Sequence, residues 1–194
     1  DNQWIACGDP TEAALLTLSA KANVHEEVAK NKIAELPFDS VRKRMTTVHQ
    51  EKNGLRASTK GAVESVLPVC THILKNGKVE PLTEAEKEKI VKINKKMTEK
   101  ALRVLAIAIK NLPPEWKKQK NSAEDTEKNL VFLGLCGMID PPRDAVPEAI
   151  RMTREAGIEV TIITGDNGDT ARAIALQIGL CKRATELRVI TGAI

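Results

Sequence analysis

Apolar positions along the chain switch between a helical and a strand period, and the switches mark its elements. Ala13, Leu16 and Ala20 recur at helical spacing behind Asp9-Pro10-Thr11-Glu12. Asp9 suits an N-cap, Pro10 the first helical position, and Glu12 stands where a capping box puts its acid, so a helix starts here. A turn is expected ahead of Phe38. Arg44–His49 and Leu55–Thr59 then read as strands joined by a hairpin at Asn53-Gly54. Lys60-Gly61 ends the second strand, and Ala62–Val69 forms a short helix. Asn76-Gly77 marks a further turn. Thr83 and Glu86 form a capping box for a long charged helix to about Lys100, whose buried stripe is Ile90, Ile93 and Met97. Leu102–Ile109 reads as a central strand, 111–129 as a polar loop with a helical turn, and Leu130–Met138 as another strand.

The style changes at Asp140-Pro141-Pro142-Arg143, where two successive prolines make a stiff connector. Beyond it, Pro147–Ala156 reads as a helix ended by Gly157, Ile158–Ile163 as a β-branched strand, Gly165–Gly168 as a loop, Asp169–Ile178 as a helix, and Arg188–Ile190 as the start of another strand. Strand, loop, helix and strand in succession imply a parallel sheet. The expected fold is therefore mixed α/β in two domains. Residues 1–139 would form an antiparallel sheet with flanking helices, and 140–194 part of a parallel sheet domain.

Composition narrows the function. The 194 residues are 42% apolar and 29% charged, as in an ordinary globular protein. The longest apolar run, Val131–Ile139, is strand length and far short of the roughly 18 residues of a membrane span. With two Trp, two Phe and no Tyr, the core must be aliphatic and a base-stacking platform is disfavoured. The net charge of +4 comes from interspersed Lys, Arg, Glu and Asp, which argues against a nucleic-acid partner. Cys7, Cys70, Cys136 and Cys181 form no Cys-x-x-Cys pair, and Cys70 and Cys136 have apolar neighbours, so a reducing, cytosolic setting is expected. His25, His49 and His72 are too scattered for a metal cluster.

Five places in the sequence carry candidate chemistry. Thr164-Gly165-Asp166-Asn167 follows a β-branched strand and precedes a helix. Ligands of parallel sheets bind at that end, where a hydroxyl, free N–H groups and the helix dipole can hold a phosphoryl oxygen. The same residues also make an ordinary tight turn and cap. Lys60-Gly61-Ala62 lets a cation reach a ligand while Gly permits close approach, or it is a surface Lys before a turn. Phe38-Asp39-Ser40-Val41-Arg42-Lys43-Arg44-Met45 puts one of the two Phe beside three cations, a ring for adenine and charge for phosphates, or else a core ring beside a solvated turn. Glu12 can accept an adenine amino proton or complete its capping box. Arg103, inside an apolar strand, either meets a phosphate or faces water.

No single motif decides, but their order does. Asp9-Pro10-Thr11-Glu12, Pro37-Phe38-Asp39-Ser40 through Arg42-Lys43-Arg44-Met45, Lys60-Gly61-Ala62, Leu102-Arg103, Asp140-Pro141-Pro142-Arg143 and Thr164-Gly165-Asp166 resemble, in sequence and spacing, the P-type ATPases over essentially the whole chain. The last two motifs look like the type II pumps, the calcium and sodium/potassium group. Asn76-Gly77-Lys78 to Glu84 is most similar to bacterial or reticulum-type calcium pumps. The resemblance implies ATP held between a nucleotide-binding domain and a haloacid-dehalogenase-like phosphorylation domain. Phe38 would stack on adenine, Glu12, Lys43 and Lys60 would line the adenine and ribose end, and Arg103 would reach toward the phosphates. Asp140 and Arg143 would sit at the hinge, within the nucleotide-binding set. Thr164, Gly165 and Asp166 would meet the γ-phosphate beside the phosphorylated Asp, with Mg²⁺ nearby.

The chain also departs from that pattern. Val63 stands where Pro is usual, Ser40 where some members carry Arg, and neither Asp-Lys-Thr-Gly-Thr nor Gly-Asp-Gly-x-Asn-Asp occurs. The resemblance thus implies ATP, with Mg²⁺ in the full-length protein, and as partners the remaining phosphorylation, actuator and transmembrane domains at the cytosolic face of a membrane. The chain alone would hold ATP without turnover. The alternatives are a stand-alone haloacid-dehalogenase-like phosphatase, for which the Asp-x-Asp motif is missing, and a non-enzymatic nucleotide-binding module.

Overall fold

The computed structural model describes residues 8–24, 31–118, 123–140, 142–164 and 168–190. Two units emerge, one of Asp1–Lys87 with Leu105–Met138, the other of Glu88–Val104 with Ile139–Ile194.

The first unit is built on a seven-stranded sheet in the order β1-β2-β3-β6-β7-β4-β5. Its strands are β1 Lys32–Asp39, β2 Arg44–Glu51, β3 Gly54–Gly61, β4 Cys70–Lys75, β5 Lys78–Pro81, β6 Arg103–Leu112 and β7 Leu130–Met138. The expected hairpin forms in antiparallel register, Glu51 opposite Gly54 and Arg44 opposite Gly61. Burial alternates strictly along β3. Leu55, Ala57 and Thr59 therefore point to one face, and Arg56, Ser58 and Lys60 to the other. On the first face Val48, Leu55, Ala57 and Leu112 form a buried cluster, with Ala34 and Trp116 packed against it. The Asn76-Gly77 turn joins β4 to β5 with both residues at positive φ, 47° and 77°, which the small Gly and Asn tolerate.

Two expectations need correction here. The stretch before Phe38 is not a turn but strand β1. It lies at the sheet edge, where Pro37 removes no internal ladder bond. The sheet is also not wholly antiparallel, because β4 runs parallel to β7, pairing Ile73 with Phe132. Such a pair needs a long crossover, and the chain between β4 and β7 supplies it.

The helices follow their caps. Helix α1, Pro10–Lys21, is capped by Asp9, whose Oδ1 accepts from Thr11 N at 2.8 Å. Helix α2, Val63–Val66, runs into a 3-10 turn at Leu67–Val69. Helix α3, Glu84–Thr98, opens on the expected box: Thr83 N donates to Glu86 Oε2 at 2.9 Å and Glu86 N to Thr83 Oγ1 at 3.3 Å. Its stripe is narrower than periodicity implies, since Ile90 is buried but Ile93 is 51% exposed. Helix α4, Ala123–Thr126, is the helical turn foreseen in the polar loop.

In the second unit, α5 Val146–Glu155 and α6 Gly168–Gln177 form where predicted. Gly157, at φ 74°, follows α5. Residues 158–163 and 188–190, read above as strands, carry no strand pairing. β-branched sequence favours an extended backbone, but a strand exists only through its neighbours' N–H and C=O groups. Together with α6 these two segments line a cavity of about 570 Å³ bounded by Ile162, Thr164, Ala171, Arg172, Leu187 and Val189. With no ladder to protect them, amides of 158–164 should exchange within minutes in hydrogen-exchange mass spectrometry, while those of β2, β3 and β6 persist far longer. Equal protection in both regions would contradict this.

Candidate functional site

Four of the residues singled out in the sequence come to one end of the sheet. Asp39, next to Phe38, pairs with Arg44, Arg44 with Gly61, and Met45 with Lys60. Phe38, the turn carrying Lys43, and Lys60 therefore lie at the same end of three neighbouring strands. Helix α1 adds Glu12, whose carboxylate accepts both its hydrogen bonds from Lys60 Nζ, one of them at 2.5 Å. This bond ties α1 to β3 across 48 residues. Because Glu12 is half exposed, the pair contributes about 0–1 kcal/mol and opens readily to a competing ligand.

Phe38 is 62% exposed. One of two Phe in the chain thus stands out of the core, at a position where a planar apolar ligand could cover it. Next to it, Asp39 builds a tight turn. Its Oδ1 accepts from Val41 N at 3.0 Å and Arg42 N at 2.7 Å, and its carbonyl accepts from Lys43 N at 2.6 Å. Lys43 is left at φ 48°, a left-handed conformation costing a non-glycine residue about 1–2 kcal/mol. Its ammonium reaches Glu64 at 3.5 Å, with both groups largely exposed.

The neighbouring strand presses close. Ala62 N donates to the Lys43 carbonyl at 3.0 Å. A Cβ on Gly61 would lie 2.5 Å from both Lys43 O and Arg44 Cβ, so only glycine allows this approach. Gly61→Ala should cost roughly 1–3 kcal/mol, the range of an overpacked core. It should also displace Lys43, visible as a lower thermal midpoint together with shifted amide resonances at 42–44. An unchanged midpoint would show that the backbone yields freely.

The three cations of Arg42-Lys43-Arg44 do not act alike. Arg42 Nη1 and Arg44 Nε both donate to the Glu127 carboxylate, the latter at 2.7 Å. Thr46 Oγ1 donates to Glu127 Oε1 at 2.8 Å and shares a 2.8 Å hydrogen bond with Thr59 Oγ1. Arg44 Nη1 also reaches Ser65 O at 3.0 Å, and Arg42 Nη2 reaches Pro37 O at 2.7 Å. Glu127 is 1% exposed. Burial opposes its ionisation, but hydrogen bonds from Arg42, Thr46 and Arg44 and the charge of Arg42 hold its carboxyl below the usual carboxylate range. The expectation that three cations there serve phosphates is thus reduced to Lys43. Glu127 lies within 111–129, which by sequence reads as a polar loop. Its one sequence signal is indirect, two arginines that need an internal counter-charge.

The other predicted residues fall in the second unit, which includes Arg103 and Val104 at the start of β6. Arg103 is the exposed first residue of β6, which favours its water-facing alternative. Asp140 and Arg143 are exposed on either side of Pro142, and the Arg143 carbonyl accepts from Val146 N at 2.9 Å. Thr164 is exposed at the wall of the 570 Å³ cavity. Gly165 and Asp166 lie outside the described residues. Among the described residues no group of His, Cys, Asp and Glu is arranged to hold a metal. The Cys70 thiol, buried beside the Val66 carbonyl, is pushed up to about 12 by that burial and is no nucleophile.

An exposed aromatic ring, two lysines and a carboxylate thus lie together at one end of the sheet. The chain belongs to the P-type ATPases: residues 1–145 match the family model for the P-type ATPase cytoplasmic domain N. Among its relatives, "Calcium-transporting ATPase 1" of Bacillus cereus is 44% identical over 187 residues, 95% of this chain and 21% of the relative. "Calcium-transporting ATPase 1" of Lactococcus lactis is 40% identical, over 89% and 20%. "Sodium/potassium-transporting ATPase subunit alpha-4" of Rattus norvegicus is 38% identical, over 92% and 18%. The chain spans about a fifth of the length of these relatives. Among the described residues no helix is long and apolar enough to cross a membrane.

Proposed function

We propose that the chain holds ATP for a P-type ATPase that moves a cation, with Ca²⁺ the favoured cargo, through an aspartyl-phosphate. The observation that carries this reading is the Glu12–Lys60 pair at the sheet end that also bears exposed Phe38 and Lys43. Adenine would stack on Phe38, its amino group would donate to Glu12, and Lys60 and Lys43 would attract the ribose-phosphate end. The Glu12–Lys60 pair would open on binding, freeing one acceptor and one donor for the ligand. The calcium assignment rests on the names of the more similar relatives.

The domain division proposed is 1–139 for nucleotide binding and 140–194 for part of a haloacid-dehalogenase-like phosphorylation domain. There Thr164, Gly165 and Asp166 would face the γ-phosphate, with Arg103, Asp140 and Arg143 toward the phosphates and the hinge. Mg²⁺ would neutralise phosphate charge in the whole pump. The site within this chain would be completed by the rest of the pump, at the cytosolic face of its membrane.

Titration of the labelled chain with ATP, followed by NMR, tests the reading. Amides around Phe38, Lys43 and Lys60 should move, with a Kd in the ~0.1–1 mM range, or ~4–5 kcal/mol. Incubation with labelled ATP should leave no acid-stable phosphoenzyme. Perturbations clustered at Thr164 that spare Phe38 and Lys60, or a phosphoenzyme lost on replacing one Asp of this chain, would refute it.

A further inference from the structure

We propose that Glu127 is a positioning residue that fixes the 40–43 turn, and with it Phe38 and Lys43, in the arrangement that receives the nucleotide. The inference rests on the nucleotide-holding reading given above and names a residue that none of the motifs contains.

Glu127 follows α4 and precedes β7, 83 and 85 residues from the two arginines it holds. It is 1% exposed and accepts from three side chains, Arg42, Arg44 and Thr46. Arg42 and Arg44 flank Lys43, so a single carboxylate anchors both neighbours of the left-handed residue. Lys43 itself turns elsewhere, toward Glu64. Arg42 carries the hold on to Phe38, because its Nη2 donates to the carbonyl of Pro37, the residue before the ring. Ser65 Oγ donates to the Arg42 carbonyl and so closes the same turn from α2.

A residue held against its preferred φ stays there only when its surroundings over-determine it. Asp39 supplies the local half of that constraint and Glu127 the distant half. The carboxylate also keeps two guanidinium groups from the ligand side, so that Lys43 is the cation of the triplet left to meet a phosphate. Glu127 touches neither Phe38 nor Lys43 and acts through Arg42 and Arg44.

The test uses the full 194-residue chain with labelled Phe and backbone nitrogen. Glu127→Gln keeps the size and one acceptor but removes the charge that pairs both arginines. Without nucleotide, the Phe38 ring and the amides of 41–43 should shift, while the ring of Phe132, buried in β7, marks an intact fold. With ATP as probe, affinity should fall by at least about fivefold. Arg42→Gln should reproduce much of that loss, and the double variant should add little to the larger single effect. Val48→Ala, a core change that lowers stability without touching this network, should leave ATP affinity unchanged, which a purely structural role for Glu127 would not predict.

Unmoved Phe38 and 41–43 signals with unchanged ATP affinity in Glu127→Gln would overturn the proposal. So would an affinity loss matched by Val48→Ala at equal loss of stability. Should Glu127→Gln fail to fold, Arg42→Gln decides by the same signals. Should the unmodified chain not bind ATP, the nucleotide reading falls, while the ring and amide shifts still decide whether Glu127 sets the turn.

Discussion

Phe38→Ala is expected to abolish measurable ATP binding while leaving the chain folded. Stacking of one base on one aromatic ring is worth roughly 1–3 kcal/mol. A tenfold change in affinity corresponds to about 1.4 kcal/mol. Starting from a Kd in the ~0.1–1 mM range, such a loss carries the interaction beyond practical detection. Stability should hardly change, because Phe38 is 62% exposed and its neighbour Asp39, not the ring, hydrogen-bonds the turn. Surface substitutions away from caps and networks stay within about 0.5 kcal/mol. Isothermal calorimetry and a thermal melt on the same preparation separate the two effects. Phe38→Leu should recover little, since it restores bulk without a π-face. Binding by Phe38→Ala at the original strength would remove the ring from the site.

Glu127→Ala is expected to be the most destabilising single change at this end of the sheet. It strips two guanidinium groups and a hydroxyl of their shared acceptor. Deleting one partner of a buried pair costs about 3–5 kcal/mol, because the other is left uncompensated. Arg42 and Arg44 keep some solvent contact and the carbonyls of Pro37 and Ser65, which places the loss toward the lower end. Urea unfolding at neutral pH measures it directly.

The same carboxylate gives stability a pH dependence of known sign. Its folded pKa is depressed, since bonds from Arg42, Thr46 and Arg44 outweigh the cost of burial. Its contribution is therefore complete above the unfolded value of about 4.3 and is lost as pH falls through the lower, folded value. Glu35, Glu148 and Glu186 are also lowered but are exposed, so each adds little. Glu127→Gln should show a shallower loss of stability between neutral pH and pH 3 than the parent chain. Parallel curves would mean that the acid response lies elsewhere.

Much of the fold was legible because its signals are local. Asp9 and the Thr83–Glu86 box announce helix starts through side chains that bond N–H groups two or three residues away. Asn53-Gly54 and Asn76-Gly77 announce hairpins because few residues accept a positive φ. The motifs supplied Glu12, Phe38, Lys43 and Lys60, and the register of β1–β3 brings the last three to one sheet end. What stayed hidden depends on distant partners. β1 carries a proline and little alternation, and becomes a strand only because β2 offers it a ladder. Residues 158–163 have strand composition without such a partner. Ile93 lies on the periodic stripe of α3 yet remains exposed. Glu127 looked like any loop acid, because its value comes from arginines more than eighty residues away.

The strand order also fixes when the site can exist as the chain folds. β1, β2 and β3 are consecutive in sequence and adjacent in space, so this meander closes only short loops. Contacts of short sequence separation form early, because little chain entropy is lost in making them. Phe38 and Lys60 can thus be brought near one another while most of the protein is still unstructured. The arginines on either side of Lys43 must wait for the segment that leads into β7, more than eighty residues away, which in the finished sheet is separated from β3 by β6. A half-folded chain would then carry the ring and the lysines without a fixed turn between them. Nucleotide affinity acquired during refolding would accordingly report the docking of the last central strand, not the formation of the hairpin that bears the binding residues.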